Sequence, residues 1–254
     1  MKQRIISGAL VLLVTVLSIL LNGPVFRFVL CFIGLYGSFE YIRMQREKFN
    51  YLLYFVLIAT VFSLIFLNDY STVIILSELV ILLTVAVFDK DESYTDIAGV
   101  FLFSILFGYA LYFMNYIENM NLWMLGYVFV ISYLSDTAAY FIGSRFGRHK
   151  LIERVSPKKT IEGSAAGLIF GMLGSLLWAL IFKFFGFPPY VFIISSIVLP
   201  VVSEIGDLVF SLMKRHYGIK DFSELIPGHG GILDRLDSNI FCIIVFGVLL
   251  TILI

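Results

Sequence analysis

The stretch at residues 96–117, DIAGVFLFSILFGYALYFMNYI, decides the fold. Its one charged side chain, Asp96, stands at the head, and nearly everything after it is apolar, aromatic or small. A helix of about 20 such residues crosses the roughly 30 Å of hydrocarbon in a bilayer. The apolar character is continuous, whereas a membrane β-strand alternates over about ten residues, so a barrel is disfavoured. Working outward, comparable runs occur at 5–22, 24–42, 51–67, 72–88, 122–144, 163–185, 189–213 and 237–254, which makes nine. The runs at 51–67 and 72–88 are the shortest. Across all 254 residues, 60% are apolar and 14% charged, against about 45–50% and about 25% in an ordinary globular domain. Disorder, a collagen-like fibre and a secreted disulfide scaffold are thereby excluded.

The expected architecture is all-α: a polytopic integral membrane protein of about nine transmembrane helices with no soluble domain. Residues 1–254 form a single membrane-embedded domain, with N-terminal spans over 1–120 and a second half over 121–254. Cys31 and Cys242 sit inside apolar runs and form neither a disulfide framework nor a metal spacing. The first run follows Lys2 and Arg4 but is longer than a signal-peptide core. No small-residue cleavage pattern follows Asn22-Gly23, so it reads as a retained span.

Net charge is zero, with 18 basic and 18 acidic residues, so no global field favours nucleic acid. The distribution of charge is more informative. With nine spans, sixteen basic residues fall on the side of the N-terminus: Lys2, Arg4, Arg43, Arg46, Lys48, Lys90, Arg145, Arg148, Lys150, Arg154, Lys158, Lys159, Lys214, Arg215, Lys220 and Arg235. Only Arg27 and Lys183 fall on the other. Basic loops stay in the cytoplasm. The N-terminus and the long loops 145–162 and 214–236 are therefore expected to be cytoplasmic, and the C-terminus extracytoplasmic.

Acids inside spans are costly and tend to face a bundle interior or a wet cavity. Ser132, Asp136 and Tyr140 recur at helical spacing, as do Glu204, Asp207, Ser211 and Arg215. Two carboxylates one turn apart repel in a low dielectric unless a cation or a proton intervenes. Arg215 is too far along the helix to neutralise both. Glu40 and Glu78 lack such a stripe, and Glu40 is expected to pair with nearby Arg43. After the eighth run come Lys214-Arg215, Lys220-Asp221, the Gly-rich Pro227-Gly228-His229-Gly230-Gly231, and then Asp234, Arg235 and Asp237. Glycine lets backbone N–H groups approach an anion. Lys and Arg supply charge for a polyphosphate. Asp234 and Asp237 offer oxygen ligands of the kind Mg²⁺ takes alongside phosphates. Lys158-Lys159, just before a helix start, form a second candidate anion site.

The stretch 211–237, SLMKRHYGIKDFSELIPGHGGILDRLD, resembles the signature of the phosphatidate cytidylyltransferases, also called CDP-diacylglycerol synthases. DTAAY at 136–140, Gly143 with Phe146-Gly147, and SPKKTIEG at 156–163 resemble the family's upstream segments in order. The first five spans match in hydropathy only. The resemblance implies a multi-span enzyme, with 121–254 as its catalytic half. It would join CTP and phosphatidic acid from the membrane lipid, releasing pyrophosphate, with Mg²⁺ and a second, monovalent cation such as K⁺. It implies that Asp207 and Asp234 bind the metal, with Asp237 as a further candidate. Lys214, Arg215, Lys220, Asp221, His229 and Arg235 join them as catalytic residues, while Asp136, Lys158, Lys159, Ser211, Gly230 and Gly231 contact substrate. One departure is Phe210, where many members carry Glu. The alternative class is a cation-coupled membrane transporter. A CDP-alcohol phosphatidyltransferase would need an Asp-Gly-x-x-Ala-Arg signature, which is absent. The sequence gives no oligomeric state, although bundles of this kind often form a homodimer.

Overall fold

Every apolar run that can be compared folds as a helix. The computed structural model describes residues 23–45, 49–184, 186–225 and 230–254; the expected span at 5–22 and His229 lie outside them. The helices are α1 (Pro24–Gln45), α2 (Tyr51–Phe66), α3 (Ser71–Phe88), α4 (Tyr94–Met120), α5 (Leu122–Phe146), α6 (Ile161–Phe182), α7 (Pro189–His216) and α8 (Leu233–Leu253). A short 3₁₀ turn, Asn68–Tyr70, leads into α3. Among the described residues, seven helices are long and apolar enough to cross a bilayer, while α2, with 16 residues, is shorter. The count of nine is therefore not reached within them, but a polytopic all-α membrane protein is what the chain forms.

Two boundaries differ from expectation. The loop placed at 214–236 is shorter at both ends, because Lys214 and Arg215 lie in the last turn of α7 and Asp234 in the first turn of α8. Hydropathy marks these residues as non-membrane, yet basic groups at a helix C-terminus and acids at an N-terminus favour helix. The loop at 145–162 holds an antiparallel hairpin, β1 (Lys150–Ile152) and β2 (Ser156–Thr160), paired Lys150 to Thr160 and Ile152 to Ser156.

The chain forms two compact units. The first gathers the described residues up to Tyr116 together with Asp221–Asp234. Its interior stacks Tyr41 on Phe103 at 3.8 Å between ring centroids, with Phe107 beyond at 5.1 Å. Gly37 leaves the room that Phe107 fills. Buried Glu78 of α3 accepts a 2.8 Å hydrogen bond from Ser104 Oγ of α4.

The second unit comprises Ile117–Lys220 and Arg235–Ile254. Here α6 packs closely on α5 because its buried face is built of Gly163, Gly167, Gly171 and Ser175, small residues one turn apart. A Cβ at Gly167 would stand 2.9 Å from the Ser135 carbonyl oxygen, and Ser135 Oγ donates to the Gly167 carbonyl at 3.0 Å. Thr160 caps α6 by accepting from the Gly163 amide. Its side chain nests against Gly143 and Gly147, where any Cβ would collide with it. Glu162 accepts the backbone amides of Arg148 and His149 and meets His149 Nδ1 at 2.6 Å, tying the start of the hairpin to α6. Tyr127 of α5 donates to or accepts from Ser196 Oγ at 2.7 Å and lies 2.9 Å from the Phe192 carbonyl, locking α5 to α7.

Candidate functional site

The hairpin delivers one lysine into an acidic face. Lys159 lies near the end of β2, and its ammonium stands 2.7 Å from Glu204 Oε1 and also pairs with Asp207 Oδ2, both on α7. This is the cation that two acids one turn apart require. Burial alone would lower the lysine's pKa, but Asp207 and Glu204 outweigh it and hold the ammonium above the ordinary lysine value. Ser164 of α6 donates to Glu204 Oε1 at 3.0 Å. Ser211 Oγ lies 3.5 Å from Asp207 Oδ1.

Asp136 of α5 belongs to the same cluster, with Asp207, Asp237, Glu204 and Lys159 all bearing on it electrostatically. Ser238 Oγ reaches Asp136 at 3.5 Å, and the Ser238 amide donates to Asp237 Oδ1 at 2.9 Å. Lys214 Nζ stands 3.9 Å from Asp237 Oδ2, a long pairing. The expected stripes divide in consequence. Ser132 is fully buried against Cys242, Asp136 joins the cluster, and Tyr140 is exposed. Arg215 turns to the end of α7, donating to the Ile219 carbonyl at 3.0 Å. The two hairpin lysines part in the same way, with Lys158 exposed and Lys159 held by carboxylates. Phe210 is fully buried and meets Phe241 edge-on at 6.4 Å, so an acid at this position would enter an aromatic contact.

In the first unit two carboxylates organise the backbone at 231–233. Asp234 Oδ2 accepts the amides of Gly231 at 2.9 Å and Phe222 at 2.8 Å, bringing both backbone groups to one carboxylate. Gly230 has φ +80°, where a Cβ would also stand 2.6 Å from Asp234 Oδ2. The second carboxylate is one that sequence reasoning passes over. Glu40 of α1 is fully buried and accepts from Ser223 Oγ at 2.6 Å, the Ile232 amide at 3.0 Å and the Leu233 amide at 2.9 Å. The expected pairing with Arg43 is not formed; the Arg43 guanidinium stands 6.0 Å from the Phe39 ring centroid instead. An acid in an otherwise uncharged stretch of α1 is the available signal, since such residues in spans need a partner. Asp221, Lys220 and Arg235 are exposed.

Asp207 and Asp234, expected to share a cation, belong to different units, and each is placed within its own. Among the described residues, no three His, Cys, Asp or Glu side chains converge as a metal cage. The donor chemistry of the second unit nonetheless suits a hard divalent cation. Asp136, Glu204, Asp207 and Asp237 are all oxygen donors, and the Lys159 ammonium already takes a cation's position between two of them.

The chain matches the cytidylyltransferase family over residues 2–253. It is similar to the phosphatidate cytidylyltransferase of Bacillus subtilis (strain 168), 32% identical over 256 residues that cover 95% of this chain and 94% of that protein. The phosphatidate cytidylyltransferase of Staphylococcus saprophyticus is 31% identical over 262 residues, covering 98% and 99%. That of Staphylococcus aureus (strain COL) is 36% identical over 171 residues, covering 67% and 65%.

Proposed function

The chain belongs to the cytidylyltransferase family, and from that premise we propose that it transfers CMP from CTP to phosphatidic acid, giving CDP-diacylglycerol and pyrophosphate. Similarity over nearly its whole length to relatives named for that activity carries the reading. An oxygen of the lipid phosphate attacks the α-phosphorus of CTP as the bond to the β-phosphate oxygen breaks. The attacking phosphate is already ionised near neutral pH, so no serine, cysteine or general base is required. What the protein must supply is charge compensation and alignment of two polyanions.

Within the second unit, exposed Lys158, Lys220, Arg215 and Arg235 offer cationic groups to phosphates, with Lys214 beside Asp237. Lys159 acts differently, holding Glu204 and Asp207 in fixed orientation. Asp207 and Asp237 would supply oxygen ligands to Mg²⁺ alongside the substrate phosphates, with Asp136 bearing on both from α5. A bound Mg²⁺ would neutralise charge developing on the α-phosphate and the departing pyrophosphate. The basic loops face the cytoplasm in this reading, supported by the sixteen-to-two distribution of basic residues.

The test is to incubate purified protein with labelled CTP, phosphatidic acid and Mg²⁺, with and without K⁺, and measure pyrophosphate and labelled lipid together. Equimolar appearance of both is expected. Failure to consume CTP would overturn the assignment. Asp207→Asn should lower turnover on the order of 10²–10³-fold while Lys159 keeps Glu204 as a partner and the fold persists. Near-normal turnover would remove Asp207 from the site.

A further inference from the structure

We propose that Glu40 is a positioning residue for CMP transfer, fixing from α1 the backbone at Ile232 and Leu233 that leads into the first turn of α8, where Asp234 is presented. The proposal rests on the functional reading above and adds to it a role for the N-terminal helices, which the family match also covers.

Both Glu40 oxygens are engaged. Oε1 accepts from Ser223 Oγ and the Ile232 amide, and Oε2 accepts from the Leu233 amide. Ile232 and Leu233 stand at the start of α8, where backbone amides have no partner within the helix and the dipole is positive. A carboxylate answers both conditions. A glutamine could not, because its one oxygen would serve one amide while its NH₂ would face the other, donor against donor. Burying a charge in a membrane helix is expensive, and a serine or asparagine would satisfy an amide at less cost. What the carboxylate adds is a simultaneous grip on three donors from two parts of one segment.

The grip is matched by the chain's own chemistry on the other side. Asp234 accepts the Gly231 amide while Glu40 accepts the next two, so three successive amides are divided between two acids. Gly231 fits because a Cβ there would overlap the Glu40 carboxylate, with Cδ only 2.6 Å away. Removing the Glu40 charge leaves two partly or fully buried amides without a full acceptor set, and the turn that orients Asp234 loosens.

The experiment uses the full chain in lipid, with Glu40→Gln as the near-isosteric variant, Gly231→Ala, and the double variant. In Glu40→Gln, kcat should fall by about tenfold or more with KM for CTP within about twofold, because the defect lies in alignment and not in binding. Hydrogen exchange at the amides of Gly231, Ile232 and Leu233 should accelerate by about tenfold or more, while amides in α5 and α6 stay protected. Gly231→Ala should displace the same carboxylate, so the double variant should lose little beyond the worse single one. Unchanged exchange at 231–233 overturns the proposal, as does wild-type kcat in Glu40→Gln or a loss that only tracks the fraction of unfolded protein. If the wild-type chain consumes no CTP, the functional reading fails instead, and the exchange comparison still decides whether Glu40 positions the turn.

Discussion

Lys158 and Lys159 are adjacent, equally basic, and separated in role by what lies across from them. Lys159 compensates two acids, so Lys159→Gln should leave Glu204 and Asp207 in mutual repulsion and cost about 2–3 kcal/mol, somewhat under the full cost of breaking a buried pair because the ammonium is partly exposed. Lys158→Gln should cost less than about 0.5 kcal/mol. Thermal unfolding of the two variants in one detergent checks the contrast, and equal losses would contradict it. Gly230→Ala forces a left-handed residue and should cost about 1–2 kcal/mol while pressing on Asp234; turnover measured on the folded fraction should fall as well. Asp207, Asp234 and the two lysines stand out in the sequence because ionisable groups are conspicuous against an apolar background. The partner of each does not. Glu204 is 45 positions from Lys159, and Ile232 is 192 from Glu40. Proximity along the chain points Glu40 to Arg43, less than one turn away, and non-local packing overrides it.

At the scale of elements, the pairing of α5 with α6 depends on a face without side chains. Gly167→Ala should destabilise the protein by about 1–3 kcal/mol, because its Cβ meets a backbone carbonyl that cannot swing aside. Leu177→Ala, on the exposed side of α6, should be nearly neutral. Unfolding midpoints of these two variants test the asymmetry. The helices themselves are readable from hydropathy, with 24–42 realised as Pro24–Gln45 and 72–88 as Ser71–Phe88. Their ends are not, since Lys214 and Asp234 look like loop residues to a hydropathy scale while favouring helix termini. The hairpin is invisible for a related reason. Its strands are three and five residues long, basic and outside any apolar period, and its start is anchored by Glu162, a residue of the next helix.

The whole molecule departs from the order of its sequence. Residues 221–234 lie in the second half of the chain yet form part of the unit built by the first. A fragment of residues 121–254 should therefore insert its helices but lack CTP-consuming activity, and co-expression with 1–120 should restore part of it. Activity in the isolated fragment would show that the N-terminal helices are dispensable to the reaction.

That interleaving bears on how such a gene can be recombined. A crossover near residue 120 between two relatives exchanges halves that are intact along the chain, but it separates Glu40 from the glycine-flanked amides that its carboxylate was matched to. Offspring of that cross inherit a helix from one parent and its docking segment from the other. Crossovers that carry 24–45 and 221–234 together should yield working hybrids far more often than those that divide them, at the same overall divergence between the parents.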